Sequence, residues 1–91
     1  MRVRWTAEAR SDLVRLYAFL ASVNPPVAAR VVQTLRAAPA RLTRTPRLGP
    51  RMPAFAPREV RRLFVGDYEL RYEIQGTTII VLNLWHMRED R

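Results

Sequence analysis

The 91-residue chain is predicted to adopt an α+β fold: an N-terminal strand, a helical hairpin and then a three-stranded antiparallel meander, with the helices packed on one face of the sheet. Three observations predict it. Apolar residues recur at helical spacing from Ala9 to Leu42, whereas before and after that stretch they alternate with a period of two. A Pro- and Gly-rich segment separates the helical part from the later strands. With 48% hydrophobic residues, residues 1–91 suffice for one modest core and are expected to form a single domain.

The first strand is carried by Val3 and Trp5, which alternate with Arg2 and Arg4. Thr6 then has the character of an N-cap, with Glu8 in the first turn, where the helix dipole favours an anion. The first helix should run to about Ser22. Ala9, Leu13, Leu16, Tyr17 and Leu20 make one apolar stripe, and Val14, Ala18 and Ala21 a second, so two packing partners are expected. Asn24-Pro25-Pro26 ends this run and caps the next, since Pro is tolerated at the first helical position. Ala28, Val31, Val32, Leu35, Ala38 and Leu42 give the second helix one apolar face. Pro39 interrupts it, and a kink or an end is predicted near Ala38.

Residues 43–57 hold Pro46, Gly49, Pro50, Pro53 and Pro57 among Arg44, Arg47 and Arg51, and are expected to form a basic loop. Strands return at Val60 to Val65, Tyr68 to Ile74 and Thr78 to Trp85, with turns at Gly66-Asp67 and Gln75-Gly76. In the middle of the three, Tyr68, Leu70, Tyr72 and Ile74 share a core face, and Glu69, Arg71 and Glu73 are expected on a wet one. The run from Ile79 to Leu84 is almost wholly apolar, as befits a strand central in its sheet.

The composition narrows the chemistry. There is no Cys, which excludes disulfides, thiolate metal sites and a cysteine nucleophile, and with one His neither a metal nor a cofactor is expected. No apolar run is long enough to span a bilayer, so no membrane partner and a cytoplasmic location are expected. The net charge of +8 favours a polyanionic or acidic partner. All 16 basic residues are Arg, whose planar fork suits phosphate and carboxylate, although the same bias accompanies Ala and Pro in GC-rich coding sequence.

The chain resembles the RelE/ParE toxins of type II toxin-antitoxin systems along essentially its whole length. The likeness is carried by Trp5-Thr6, Ala9, Asp12-Leu13, Asn24-Pro25, Leu42, Pro46, Gly49, Arg58-Glu59 and Leu63. It continues through Gly66-Asp67-Tyr68, Leu70 and Tyr72 to the closing Trp85-His86, Arg88-Glu89-Asp90-Arg91. Pro39 departs from the family's second helix. The resemblance implies a growth-inhibiting protein neutralised by a cognate antitoxin whose tail folds on binding. It implies one of two targets: DNA gyrase, as for ParE-like toxins, or mRNA on the ribosome, as for RelE-like endonucleases.

For RNA cleavage, the resemblance points to Arg62, His86 and Arg88, because stabilising a phosphorane and moving protons both need positioned basic and acid-base groups. Glu69 stands where the nucleases place Arg after the first aromatic, and their C-terminal Tyr is absent. A carboxylate there would repel a phosphate, so ParE-like binding to gyrase is the favoured expectation, with Arg62, Arg71, Arg88 and Arg91 as its basic surface. His86 has a simpler role open to it as a hydrogen-bonded strand-end residue, and Arg71 as the neutraliser of its two Glu neighbours. Phe19, on the polar side of the first helix, is the candidate antitoxin contact. A plain nucleic-acid module is the weakest alternative, because Tyr68, Tyr72 and Trp85 are expected in the core.

Overall fold

A computed structural model describes the chain over residues 1–89. In order it contains β1 (Arg2–Trp5), α1 (Ala7–Ala21), α2 (Pro25–Ala37), a 3-10 helix (Ala38–Thr43), a short 3-10 turn (Pro53–Phe55), β2 (Glu59–Val65), β3 (Tyr68–Gln75) and β4 (Thr78–His86). The strands form one mixed sheet in the order β1-β4-β3-β2, with β1 parallel to β4 and the other pairs antiparallel. The helices cover one face. Between the layers lie Ala9, Leu16, Leu35, Leu42, Leu63, Leu70, Tyr72, Ile79, Val81 and Leu84, all buried. The α+β prediction holds, and β4 is the inner strand its apolar run required.

The caps act where expected. Thr6 Oγ1 accepts from Ala9 N at 3.0 Å and donates to Leu82 O at 2.8 Å, so one hydroxyl both starts α1 and ties it to β4. Asn24 Oδ1 accepts from Val27 N at 3.3 Å, with Pro25 and Pro26 in the first turn of α2. At Pro39, which has no N–H to continue an α-helical ladder, the α-helix has already ended at Ala37. The chain tightens into a 3-10 helix that still buries Ala38, Pro39 and Leu42, so the apolar face outlives the α conformation.

Two expectations about burial are corrected. The second stripe of α1 is not a second buried face: Val14 is 69% exposed and Ala18 is also at the surface, while Ala21 is half-buried. What α1 buries beside its main stripe is Asp12. The second correction concerns the sheet face away from the helices, which is not wet around β3. Glu69 and Glu73 are buried there, and so is Trp85. Alternation reveals which residues share a face, but not what folds over it.

Asp12 is buried for a reason visible in the sheet. β1 is much shorter than β4, and past its end α1 supplies the missing partners. Asp12 Oδ2 accepts from Leu84 N at 3.0 Å, and Arg15 Nη2 donates to Leu84 O at 3.4 Å. This happens beside an irregularity in the ladder, where Arg71 pairs with Asn83 and Tyr72 with Val81, leaving Leu82 as an extra residue. On the opposite side, Tyr72 pins the basic loop. Its hydroxyl donates to Pro46 O at 2.7 Å and accepts from Gly49 N at 3.1 Å, and burial raises its pKa above that of an ordinary phenol. Gly49 lies so close to β2 that a Cβ there would sit 2.1 Å from Arg62 O.

Candidate functional site

The register of β2, β3 and β4 builds three cross-strand rows on the face away from the helices: Val60, Glu73 and Ile80; Arg62, Arg71 and Asn83; and Phe64, Glu69 and Trp85. The loop returning from α2 folds its Pro53–Phe55 turn over this face. Arg71 lies beneath it, with its guanidinium carbon 5.2 Å from the centre of the Phe55 ring and 4.8 Å from that of Trp85. These two ring contacts cover much of the guanidinium, and the Arg71 side chain is only 22% exposed. Arg71 Nη2 is 3.7 Å from Glu69 Oε2. Arg71 Nε and Asn83 Oδ1 are buried with no hydrogen-bond partner among the described residues.

The buried carboxylates of this face are matched by arginines. Arg58 Nη2 and Nε donate to the two oxygens of Glu73 at 2.7 and 3.2 Å, and Gln75 Nε2 adds a bond at 3.1 Å. The Arg58 hydrogen bond outweighs burial and holds the Glu73 carboxyl below its usual range. Glu59, on the other face, is likewise lowered by Arg61 first and Arg47 second. Arg62 differs. It is exposed, lies 5.4 Å from the Phe64 ring centre and makes no ion pair among the described residues. With the acids matched by arginines, the face presents Arg62 with Phe64 beside it, next to a largely covered Arg71.

The structure thus brings Arg62 and Arg71 directly opposite one another. It does not bring His86 or Arg88 to them. His86 pairs with Tyr68, on the face that carries the helices, and its ring meets the Tyr68 ring edge-on at 5.1 Å. Three residues of strand, about 10 Å, and the thickness of the sheet separate that row from the Arg62 row. His86 Nδ1 accepts from Arg88 N at 3.1 Å, and His86 N donates to Glu89 Oε1 at 2.7 Å, while the other oxygen of Glu89 pairs with Arg15. His86 is therefore part of the turn that closes β4, and Arg88 is exposed on that turn. Arg91 lies outside the described residues.

Phe19 is 69% exposed and lines, with Leu16, Leu20, Tyr68 and His86, a cavity of about 290 Å³ between α1 and the end of the sheet. The residues that sequence reasoning missed are Phe55, Arg58 and Trp85 as partners of the arginine face. Phe55 and Arg58 sit in or beside a loop with no period, and the apolar run of the last strand places Trp85 in the main core. The one available clue was parity, since Trp85 is two positions from Asn83 and one from Leu84. Among the described residues, no group of three His, Asp or Glu side chains could hold a metal ion, and no helix is long and apolar enough to cross a membrane.

Comparison with known proteins identifies a family and similar solved structures. A family model described as "ParE toxin of type II toxin-antitoxin system, parDE" matches residues 3–91. The chain is similar to a chain of the chromosomal ParDE TA system from P. aeruginosa, at 24% identity and a TM-score of 0.79, covering 94% of this chain and 95% of that one. It is also similar to a chain of the toxin-antitoxin complex RelBE2 from Mycobacterium tuberculosis, at 31% identity and a TM-score of 0.61, covering 93% and 95%. No curated protein matches the sequence.

Proposed function

The chain belongs to the ParE toxin family of type II toxin-antitoxin systems, and from that premise we propose that it arrests growth by binding DNA gyrase through the arginine face of its sheet, not by cutting mRNA on the ribosome. The observation that carries this is the separation of Arg62 from His86 onto opposite faces of the sheet. Cleavage at a 2'-hydroxyl needs a general acid-base within about 3 Å of the atoms whose protons move, beside the cation that steadies the phosphorane. Beside Arg62 and Arg71 the neighbouring rows carry Glu69, buried 3.7 Å from Arg71, and Glu73, buried and held by Arg58; each carboxylate is committed to an arginine and would oppose a phosphate rather than relay its protons.

An exposed cation flanked by an aromatic ring is instead a good protein-binding feature, since Arg and aromatic residues dominate the energetics of protein interfaces. Arg62 and Phe64 form its centre, next to a largely covered Arg71, with Arg88 and Arg91 as more distant basic contributors. Phe19 and the cavity beneath it serve the antitoxin.

The test is a pair of assays on the purified protein. Gyrase-dependent supercoiling should be inhibited, Arg62→Ala should weaken the inhibition at least tenfold, and His86→Gln should leave it within twofold. Codon-phased cuts in ribosome-bound mRNA, together with unaffected supercoiling, would overturn the proposal in favour of the endonuclease.

A further inference from the structure

Three arginines from separate elements converge on one cleft of about 610 Å³: Arg4 of β1, Arg10 of α1 and Arg36 in the last turn of α2. All three are exposed, and none makes an ion pair among the described residues. No acidic side chain lines the cleft. Arg15, Arg47, Arg58 and Arg61, by contrast, each have a carboxylate partner. Charges of one sign gathered around an apolar concavity focus the field there and concentrate a polyanion.

The walls set a second requirement. Val3, Trp5 and Leu13 pack against the core and also line the cleft, and Val14, the exposed member of the second stripe of α1, extends the apolar wall. A free phosphate would meet the arginines and leave this surface wet. A ligand that satisfies both parts carries phosphates at one end and a flat, largely apolar ring at the other. Trp5 is the aromatic residue of the cleft, so there is a stacking platform for one base. Single-stranded nucleic acid is held instead along a groove with successive aromatic platforms. The volume lies within the range of about 300–1,000 Å³ that small-molecule sites occupy, and three guanidinium forks suit the oxygens of a polyphosphate chain.

We propose that this cleft binds a nucleoside polyphosphate, with the base against Trp5 and Leu13 and the phosphates held by Arg4, Arg10 and Arg36. The site stands apart from the gyrase reading, because Arg62 and Arg71 lie on β2 and β3 and β2 is at the opposite end of the strand order from β1.

The experiment titrates ATP into the whole chain, labelled with nitrogen-15 and followed by NMR. Two indole N–H signals are present, from Trp5 and Trp85, and Trp5→Phe identifies which is which. The Trp5 signal should shift saturably, and that of Trp85, buried on the sheet face away from the helices, should stay. ATP should bind at least tenfold more tightly than tripolyphosphate or adenosine, each of which lacks one half of the ligand. The double variant Arg10→Gln/Arg36→Gln should weaken ATP binding at least tenfold, whereas Arg30→Gln, on α2 but beside the turn between β2 and β3, should change it less than twofold. Circular dichroism of each variant confirms that it folds. Tripolyphosphate that binds as tightly as ATP would reduce the cleft to an unselective anion patch, and a 5'-phosphorylated oligothymidylate that binds more tightly than ATP would make it a nucleic-acid surface. Either result overturns the proposal, as does a Trp5 signal unmoved by millimolar ATP, and each leaves the toxin reading intact.

Discussion

Asp12 shows how a single side chain can take the place of a strand. Leu84 N faces the sheet edge beyond the end of β1, and the carboxylate of Asp12 reaches it from the first half of α1. Asp12→Ala would leave a buried N–H without an acceptor, at a cost of about 1–3 kcal/mol, whereas Asp12→Asn keeps an acceptor oxygen and should lose less. Urea unfolding of the two variants measures the difference; equal stability of Asp12→Ala and the parent chain would exclude the role. The sequence holds no local sign of this contact, because Asp12 and Leu84 are 72 positions apart. The same holds for Tyr72, whose alternation places it in the core but says nothing of Pro46 and Gly49, the two groups its hydroxyl reaches.

Among the elements, the boundaries were legible wherever capping chemistry or turn residues mark them. Thr6, Asn24 and the Gly-bearing turns each leave a local trace, and Gly66 and Gly76 do adopt positive φ. The cover over the outer face of β3 was not legible, because it comes from a loop whose path no periodicity encodes. The β2–β3 region carries an acid-sensitive carboxylate on each of its faces. Glu73 and Glu59 both have carboxyl pKa values lowered by arginine hydrogen bonds. A lowered folded-state pKa contributes stability that is present above the unfolded value of about 4.3 and is lost as pH falls through the folded one. The melting temperature should therefore fall as the solution is acidified below that range. Glu73→Gln should flatten part of this decline, and an unchanged acid profile in the variant would show that the Arg58 pairing contributes nothing.

For the molecule as a whole, the arginine excess is spread over both faces of the sheet. Two residues of the expected basic surface, Arg62 and Arg71, meet in one row, whereas strand parity sends His86, expected beside Arg62 as a catalytic candidate, to the other side. A basic protein of net charge +8 should find an acidic target faster at low ionic strength. Inhibition of supercoiling should weaken several-fold as salt rises from about 0.05 to 0.3 M, well past the point where the Debye length drops below about 8 Å; a salt-independent potency would argue against an arginine-led contact. The parallel pairing of β1 with β4 has a consequence of another kind. Thr6 meets Leu82 across 76 residues, so the first strand to be synthesised must wait for the last. At about 5–20 residues per second that wait is about 4–15 s, during which the nascent chain holds a helical hairpin but no closed sheet. A polypeptide released before β4 leaves β1 with nothing to pair with, so incomplete translation products should be unable to poison the cell that makes them.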